Sequence, residues 1–395
     1  MASVHIAHFT NAYLPVISGV VRSVRSFRKA LTGLGHIVFI FAQSDNYQDQ
    51  EPFVFRYPSL PLPLSGDISA AIPVSPFMDR LMPSLKLDVI HTHHPVLLGQ
   101  VAASKAQELE LPLVFTFHTQ YREYTHYVPL PQDAVQSFLK EAVHNWLREY
   151  MRKCQHIVVP SESMLNILAR DFGLESRYTI IPTGIDLQPY RVADGELVRA
   201  EKNWGDERVM ISIGRLAKEK NWRTLLQAAA LVIQDHPEFR VVILGDGPER
   251  RALEDFSSQL GISGRVEFTG EVPFSQVPLY LKAADFFGFA STTETQGLVT
   301  MEAMAAGLPV VAVDASGTRD ILEHDCQGML VDNQPEALAG AIRRLLDEKD
   351  LIGRFRAAAL ERVKEFDINF LAGKLVDVYE QAIKDKRNNQ FVAVK

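Results

Sequence analysis

Two glutamates, Glu294 and Glu302, stand eight positions apart, with Gly297 between them and the small-residue run Ala303-Met304-Ala305-Ala306-Gly307 after them. Gly297 suits a loop entering a helix, which leaves Glu294 on the loop and Glu302 about a turn and a half inside. Eight helical residues rise about 12 Å, comparable to the span from the hexose of a nucleotide sugar to its ribose. The N–H groups at the helix start lie between the two carboxylates, where a diphosphate finds unpaired donors and the positive dipole end. On this reading Glu294 holds sugar hydroxyls and Glu302 accepts both ribose hydroxyls. Thr295, Gln296, Gly297 and Leu298 then border the donor between them. The alternative for such a pair taken alone is two solvated glutamates on an ordinary helix.

A second group is Gly214-Arg215-Leu216-Ala217-Lys218-Glu219-Lys220-Asn221, which follows the apolar run Val209–Ile213. A departing diphosphate gains negative charge in the transition state, and fixed cations offset it. Arg215 can grip phosphate oxygens bidentately and Lys220 can act as a point charge. A surface basic loop is the plain alternative. No Asp-x-Asp metal motif occurs. With Arg215, Lys220 and a helix terminus at hand, the expected reaction uses neither a metal nor a cofactor.

Smaller signals accompany these. In Thr10–Gly19 (TNAYLPVISG) a glycine after the first apolar run lets backbone approach a ligand at Gly19 and Val20, or simply makes a turn. His118 closes the apolar run Leu113–Phe117. His91, His93 and His94 are dense enough to suggest a metal but have no carboxylate support, so packing and turn roles are favoured. Gly245-Asp246-Gly247-Pro248 is a fragment of a dinucleotide fingerprint without its third glycine, which argues against an NAD-dependent oxidoreductase.

These residues need elements to hold them, and the chain supplies alternating short apolar runs and amphipathic stretches. Val4–Phe9, a helix from Val20 to Leu31 and Ile37–Ala42 make a βαβ unit. The pattern recurs at Val89–His91, Leu113–His118, Ile157–Pro160 and Tyr178–Ile181. It restarts at Val209–Ile213 and continues through Arg240–Leu244, Val266–Thr269, Phe286–Phe289 and Val310–Val313. Such runs separated by helices imply parallel sheets covered on both faces, which bind ligands at the carboxyl ends of their strands. The expected organisation is α/β: residues 1–185, a polar linker 186–207, a second domain 208–375, and a helix and tail 376–395 that packs back on the first domain.

Composition bounds the function. The chain has 395 residues, 47% hydrophobic, and a formal charge of −7, which opposes general nucleic-acid binding. Residues 1–200 are near neutral, with 17 Lys/Arg against 18 Asp/Glu. Cys154 and Cys326 are too few for a disulfide framework or zinc cluster, in keeping with a reducing cytoplasmic setting. No signal peptide or membrane span is read.

The motif Ser291-Thr292-Thr293-Glu294-Thr295-Gln296-Gly297, continuing through Glu302-Ala303-Met304-Ala305-Ala306-Gly307-Leu308-Pro309-Val310-Val311, resembles the E-x7-E signature of retaining GT-B glycosyltransferases of family 4. That resemblance covers both halves of the chain. It implies the GT-B fold, two doubly wound Rossmann-like domains facing a deep cleft, and a nucleotide-sugar donor. It also implies that Arg215 and Lys220, rather than Lys218, bind the donor phosphates beside Gly214. By the same resemblance Pro15, Gly19 and Val20 lie by the donor phosphates and the acceptor, and His118 lies by the donor sugar. Asp246 and Gly247 form the nucleotide-side loop, and Val272 meets the base through its main chain. The implied chemistry is a front-face transfer in which the leaving phosphate takes the acceptor proton.

For the acceptor, Phe117–Tyr127 and Thr293–Leu298 resemble the bacterial diacylglycerol α-glucosyltransferases within this family. That implies glucose transfer from UDP-glucose to a lipid at the inner face of the cell membrane. Acceptor contacts are then expected from Asn11, Tyr13, Tyr121, Tyr124, His126 and Tyr127. Peripheral attachment to an anionic surface would use Arg22, Arg25, Arg28 and Lys29 on the first helix, opposite Val24, Phe27 and Leu31, and the helix 133–153. A soluble acceptor, mannosylation of phosphatidylinositol, and a GT-B nucleotide-sugar epimerase remain the alternatives.

Overall fold

The computed structural model describes residues 3–394 except 17, 45–46, 62–68, 73, 119–132, 293, 295 and 349, with backbone only at 61, 69–71 and 133–140. The chain forms two compact units, residues 1–184 with 368–395, and residues 185–367.

In the first unit seven parallel strands are formed: β1 (His5–Thr10), β2 (Ile37–Gln43), β3 (Val54–Tyr57), β4 (Val89–Thr92), β5 (Leu113–Thr116), β6 (His156–Val159) and β7 (Tyr178–Ile180), in the order β3-β2-β1-β4-β5-β6-β7. Side chains alternate between two cores. Ala7, Phe9, Phe39, Phe41 and Phe115 lie on the face against which α2 (Leu98–Glu108) packs. Ile6, Val38, Ile40, Val114 and Val158 lie on the other face against α1 (Gly19–Gly33) and the C-terminal helix Ile368–Arg387. The parallel register, with Phe9 opposite both Phe41 and Thr92, and Thr92 opposite Phe115, aligns the strands' carboxyl ends. Residues following β1, β4 and β5 therefore emerge along one edge.

The second unit repeats the plan with β8 (Arg208–Ile213), β9 (Phe239–Leu244), β10 (Val266–Gly270), β11 (Phe286–Phe289), β12 (Val310–Val313) and β13 (Gly328–Val331), ordered β10-β9-β8-β11-β12-β13 and all parallel. Its two faces are likewise apolar, with Val209, Ile211, Val242 and Phe287 on one and Met210, Val241, Ile243 and Phe286 on the other. Fully apolar strands of this kind need helices on both faces to remove them from water.

Two boundaries differ from the sequence expectation. Residues 186–207 are no linker: they fold as α3 (Gln188–Val192) and α4 (Glu196–Lys202), and Tyr190, Val198 and Trp204 are buried in the second unit's core. The second unit ends at Asp367 rather than 375, because Leu371, Ala372 and Leu375 face the first unit's core together with Val376 and Tyr379. The edge strands β3 and β13 were not expected. Val54–Tyr57 is only half-buried along most of its length, and Gly328 opens the other, so neither carries a clear apolar run.

Candidate active site

The carboxyl edge of the second sheet gathers most of the candidate residues. Strand β8 delivers Gly214–Asn221, β9 delivers Gly245–Gly247, β10 is followed by Val272, and β11 is followed by Ser291–Gly297. The helix α5 (Trp222–Ile233) begins right after the first of these loops, and the indole N–H of Trp222 donates to the Arg215 carbonyl at 3.0 Å. Asn221 ties three loops together, donating to Ala290 O at 3.1 Å and to Asn333 Oδ1 at 2.7 Å.

Glu294 is the point of convergence. Its Oε1 accepts from Lys220 Nζ and, at 2.9 Å, from Ser291 Oγ. An ammonium brought to a carboxylate by a separate loop fixes both side chains, and a ligand hydroxyl or phosphate can then meet a preset donor–acceptor pair. Gly317 makes this loop possible: a Cβ there would lie 2.5 Å from the Glu294 carbonyl oxygen and 2.8 Å from the Gln296 nitrogen.

Gly297 enters α6 (Leu298–Ala305) in the left-handed conformation, φ 59°, with no side chain among the described residues capping the helix start. The first N–H groups of such a helix have no carbonyl a turn earlier and favour an anion. On the same turn the buried Oγ1 of Thr300 has no hydrogen-bond partner among the described residues. Gln296 is buried beside this turn, and Leu298 and Val272 are half-buried against the same core.

Glu302 is 1% exposed, and its Oε1 accepts from the hydroxyl of Tyr190 at 3.1 Å. Sequence reasoning missed Tyr190 because it sits on the stretch taken for a linker. The buried aromatic of Gln188–Val192, with Pro189 at the helix start, was the available signal.

The cations differ from one another. Arg215 is largely exposed and bonds Glu219 at 2.6 Å, an ion pair that solvent weakens. Glu219 is held below the ordinary carboxylate range, with burial working in the opposite direction and hydrogen bonds from its own backbone and from Arg215 prevailing. Asp246 is lowered by the Gly247 N–H, which donates at 2.7 Å, and by Arg250 at 2.9 Å.

In the first unit, Gly19 and Val20 open α1, where Ser18 Oγ caps the N–H of Val21 at 3.3 Å. His118 follows β5, and its Nε2 is bonded to Nδ1 of His93 at 2.9 Å. Burial pushes its pKa down to about 3, so the ring is neutral.

Three expectations are corrected here. Tyr13 is fully buried, its hydroxyl placed between Arg28 (3.1 Å) and Glu51 (3.1 Å), so it is a packing residue and no acceptor contact. The Asn11 side chain accepts from the Leu98 N–H and donates to Val96 O, both at 3.1 Å, which commits it to the start of α2. Arg28 does not belong to an open basic face: it is 8% exposed and paired with Glu51, which also lies 3.5 Å from Arg25. Tyr121, Tyr124, His126 and Tyr127 lie outside the described residues, as does Thr295. No helix among the described residues is long and apolar enough to cross a membrane.

Comparison with known proteins fits this architecture. Residues 17–189 match the family described as Glycosyltransferase Family 4, and residues 194–362 match Glycosyl transferases group 1. An alpha-monoglucosyldiacylglycerol synthase of Acholeplasma laidlawii is 32% identical over 98% of this chain and 99% of its own. The enzyme of the same description from Streptococcus pneumoniae is 33% identical over 86% of this chain and 78% of its own. Among solved structures, HepE of Anabaena in complex with UDP-glucose superposes with a TM-score of 0.73 at 19% identity, covering 95% of this chain and 99% of that one, which bears on the fold alone. Two parallel-sheet Rossmann-like units, these sequence matches and the E-x7-E loop and helix together make the chain a GT-B glycosyltransferase belonging to glycosyltransferase family 4.

Proposed function

We propose that this glycosyltransferase moves glucose from UDP-glucose to a lipid hydroxyl such as that of diacylglycerol, with retention at the anomeric carbon and without a metal ion. The observation that carries the donor half is the convergence of Lys220 and Ser291 on Glu294, beside the start of α6, where neither a side-chain cap nor a partner for the Thr300 hydroxyl is found among the described residues. Support for the acceptor half comes from the two relatives described as alpha-monoglucosyldiacylglycerol synthases, one of which matches nearly end to end.

In this reading Glu294 receives sugar hydroxyls, Glu302 receives the ribose hydroxyls, and the α6 N–H groups with Arg215 and Lys220 receive the diphosphate. Gly214, Asp246, Gly247 and Val272 border the nucleotide; for Gly19, Val20 and His118 a part in donor binding rests on the family resemblance. The bond from the anomeric carbon to the phosphate oxygen breaks, and its electron pair leaves on the phosphate. That phosphate takes the proton of the acceptor hydroxyl, whose oxygen bonds the anomeric carbon on the face just vacated. Arg215, Lys220 and the helix dipole stabilise the charge that builds on the leaving group.

The test is a matrix of UDP- and GDP-sugars against diacylglycerol, phosphatidylinositol and soluble sugar acceptors. UDP-glucose with diacylglycerol is expected to give the highest turnover, with an α-linked product. A GDP-mannose preference, a soluble acceptor, or interconversion of UDP-sugars without any acceptor would each overturn a part of the reading. Binding to anionic vesicles, lost at high salt, is expected for a lipid-facing enzyme.

A further inference from the structure

His118 is the end of a longer series. Thr116 Oγ1 lies 2.6 Å from His91 Nε2, and His91 Nδ1 lies 2.7 Å from the Tyr379 hydroxyl. That hydroxyl lies 3.2 Å from His8 Nε2, His8 Nδ1 is 2.8 Å from His93 Nε2, and His93 Nδ1 is 2.9 Å from His118 Nε2. The groups come from β1, from β4 and the residue after it, from β5 and the stretch after it, and from the C-terminal helix, all within the first unit. His8, His91, His93 and Tyr379 are at most 1% exposed. Thr116 and His118, the two ends, line one cavity of about 10 Å³ together with Ser23 and Thr183, room for about one water.

A neutral imidazole carries one N–H and one bare nitrogen. In a bond between two imidazoles one ring must donate and the other must accept. A phenol between two ring nitrogens donates to one and accepts from the other. Choosing the direction at Tyr379 therefore sets every proton along the series, and only two arrangements satisfy all five bonds. Burial pushes His8 and His118 to about 3 and drives His91 and His93 well below the ordinary imidazole value, which keeps the rings neutral. The Tyr379 hydroxyl is raised well above the usual phenol value by burial, so it keeps its proton.

The two bonds at Tyr379, where the direction is set, choose between the two arrangements, although the 2.6 Å bond from His91 Nε2 to Thr116 Oγ1, taken alone, suits a hydroxyl donor and the opposite one. The 2.7 Å bond to His91 suits an O–H donor, and the 3.2 Å bond to His8 suits an N–H donor reaching the phenol oxygen. Tyr379 then donates to His91, and His8, His93 and His118 donate in turn toward Tyr379. We propose that Tyr379, His8 and His93 are positioning residues that hold His118 as its Nε2–H tautomer, presenting a bare Nδ1 as acceptor for a ligand hydroxyl. Among the described residues only Nε2 of His118 is engaged. The functional part of the proposal rests on the reading of His118 as a donor-side residue; the tautomer itself does not.

The nitrogens of His8, His91 and His93 also lie within 4.8 Å of one another, close enough to share a cation. Each ring, however, has both nitrogens engaged in the series, so a metal would have to displace those bonds.

Long-range ring 15N spectra of the full chain labelled at histidine, with His118 assigned by its loss in His118→Gln, read the tautomer directly. Wild type is expected to show His118 protonated at Nε2. Tyr379→Phe, which removes one oxygen and keeps the ring, is expected to give a mixture of both tautomers. It is also expected to lower kcat about three- to tenfold, the worth of one neutral hydrogen bond, with a still cooperative melting transition, shifted down by the lost buried bonds, as the fold control. An Nδ1–H tautomer in wild type, or a His118 signal unchanged in Tyr379→Phe, would overturn the proposal. So would stoichiometric zinc binding that abolishes the ring-to-ring bonds. If the tautomer shifts as expected while His118→Gln transfers sugar normally, the relay stands and the donor-side reading of His118 fails.

Discussion

The Tyr190 hydroxyl donates to Oε1 of Glu302 at 3.1 Å, so a helix at the entry to the second unit holds the second glutamate of the E-x7-E pair. A carboxylate that is 1% exposed depends on such donors to satisfy its oxygens and keep it aimed. Tyr190→Phe keeps the packing and removes one hydrogen bond to a charged group, worth about 1.5–3 kcal/mol. The expected result is a donor KM raised about tenfold or more with kcat changed far less, read in steady-state transfer at saturating acceptor. A change confined to kcat would place Glu302 elsewhere in the reaction.

Lys220 and Lys218 stand two residues apart on one short turn, yet only Lys220 reaches Glu294. Lys220→Ala is expected to lower kcat about a hundredfold or more, since it removes charge stabilisation at the leaving group. Lys218→Ala is expected to stay within about twofold, the range of an uninvolved surface residue. Equal losses in the two variants would mean that the loop contributes charge in general and no specific contact.

Removal of metal is a separate check. With cations and a helix terminus assigned to the diphosphate, treatment with EDTA is expected to leave the rate within about twofold, well under the several kcal/mol that a Lewis-acid metal contributes. A rate abolished by EDTA and restored by magnesium or manganese would contradict the assignment of Arg215 and Lys220.

The first unit carries a pH signature. Burial holds His8 and His118 at about 3 and His94 and His156 at about 4, against 6.5 for an ordinary imidazole. Below about 6.5 the unfolded chain takes up protons that these buried rings refuse, so stability falls as pH drops through that window. Above about 6.5 both states are neutral and the stability is fully present. Each ring contributes about 1.4 kcal/mol per pH unit inside the window. Scanning calorimetry is expected to show a transition lowered markedly at about pH 5 relative to about pH 7.5, and a flat profile would contradict the neutral rings.

Much of this was legible from periodicity. Val209–Ile213 and Phe286–Phe289 read as buried strands because every residue in them is apolar or small, and the motifs followed directly at their ends. What stayed hidden depended on partners distant in sequence. Tyr13 and Arg28 look like surface residues until Glu51 is brought beside both, and Tyr379 has no local mark of meeting His8 and His91. A C-terminal helix packing back on the first unit was among the expectations, but that it begins at Ile368, so that Leu371 and Leu375 join that unit's core, is a tertiary fact its amphipathic pattern does not state. The same holds for α3, too short to announce itself by period.

The central claim is that Glu294 holds the donor sugar for transfer. The direct measurement is the turnover of Glu294→Ala beside wild type with the best donor–acceptor pair, on protein whose melting profile matches wild type. The expected result is a loss of at least about a thousandfold in kcat, the scale of removing a preorganised contact to the reacting sugar. Near-normal turnover by the folded variant would contradict the account.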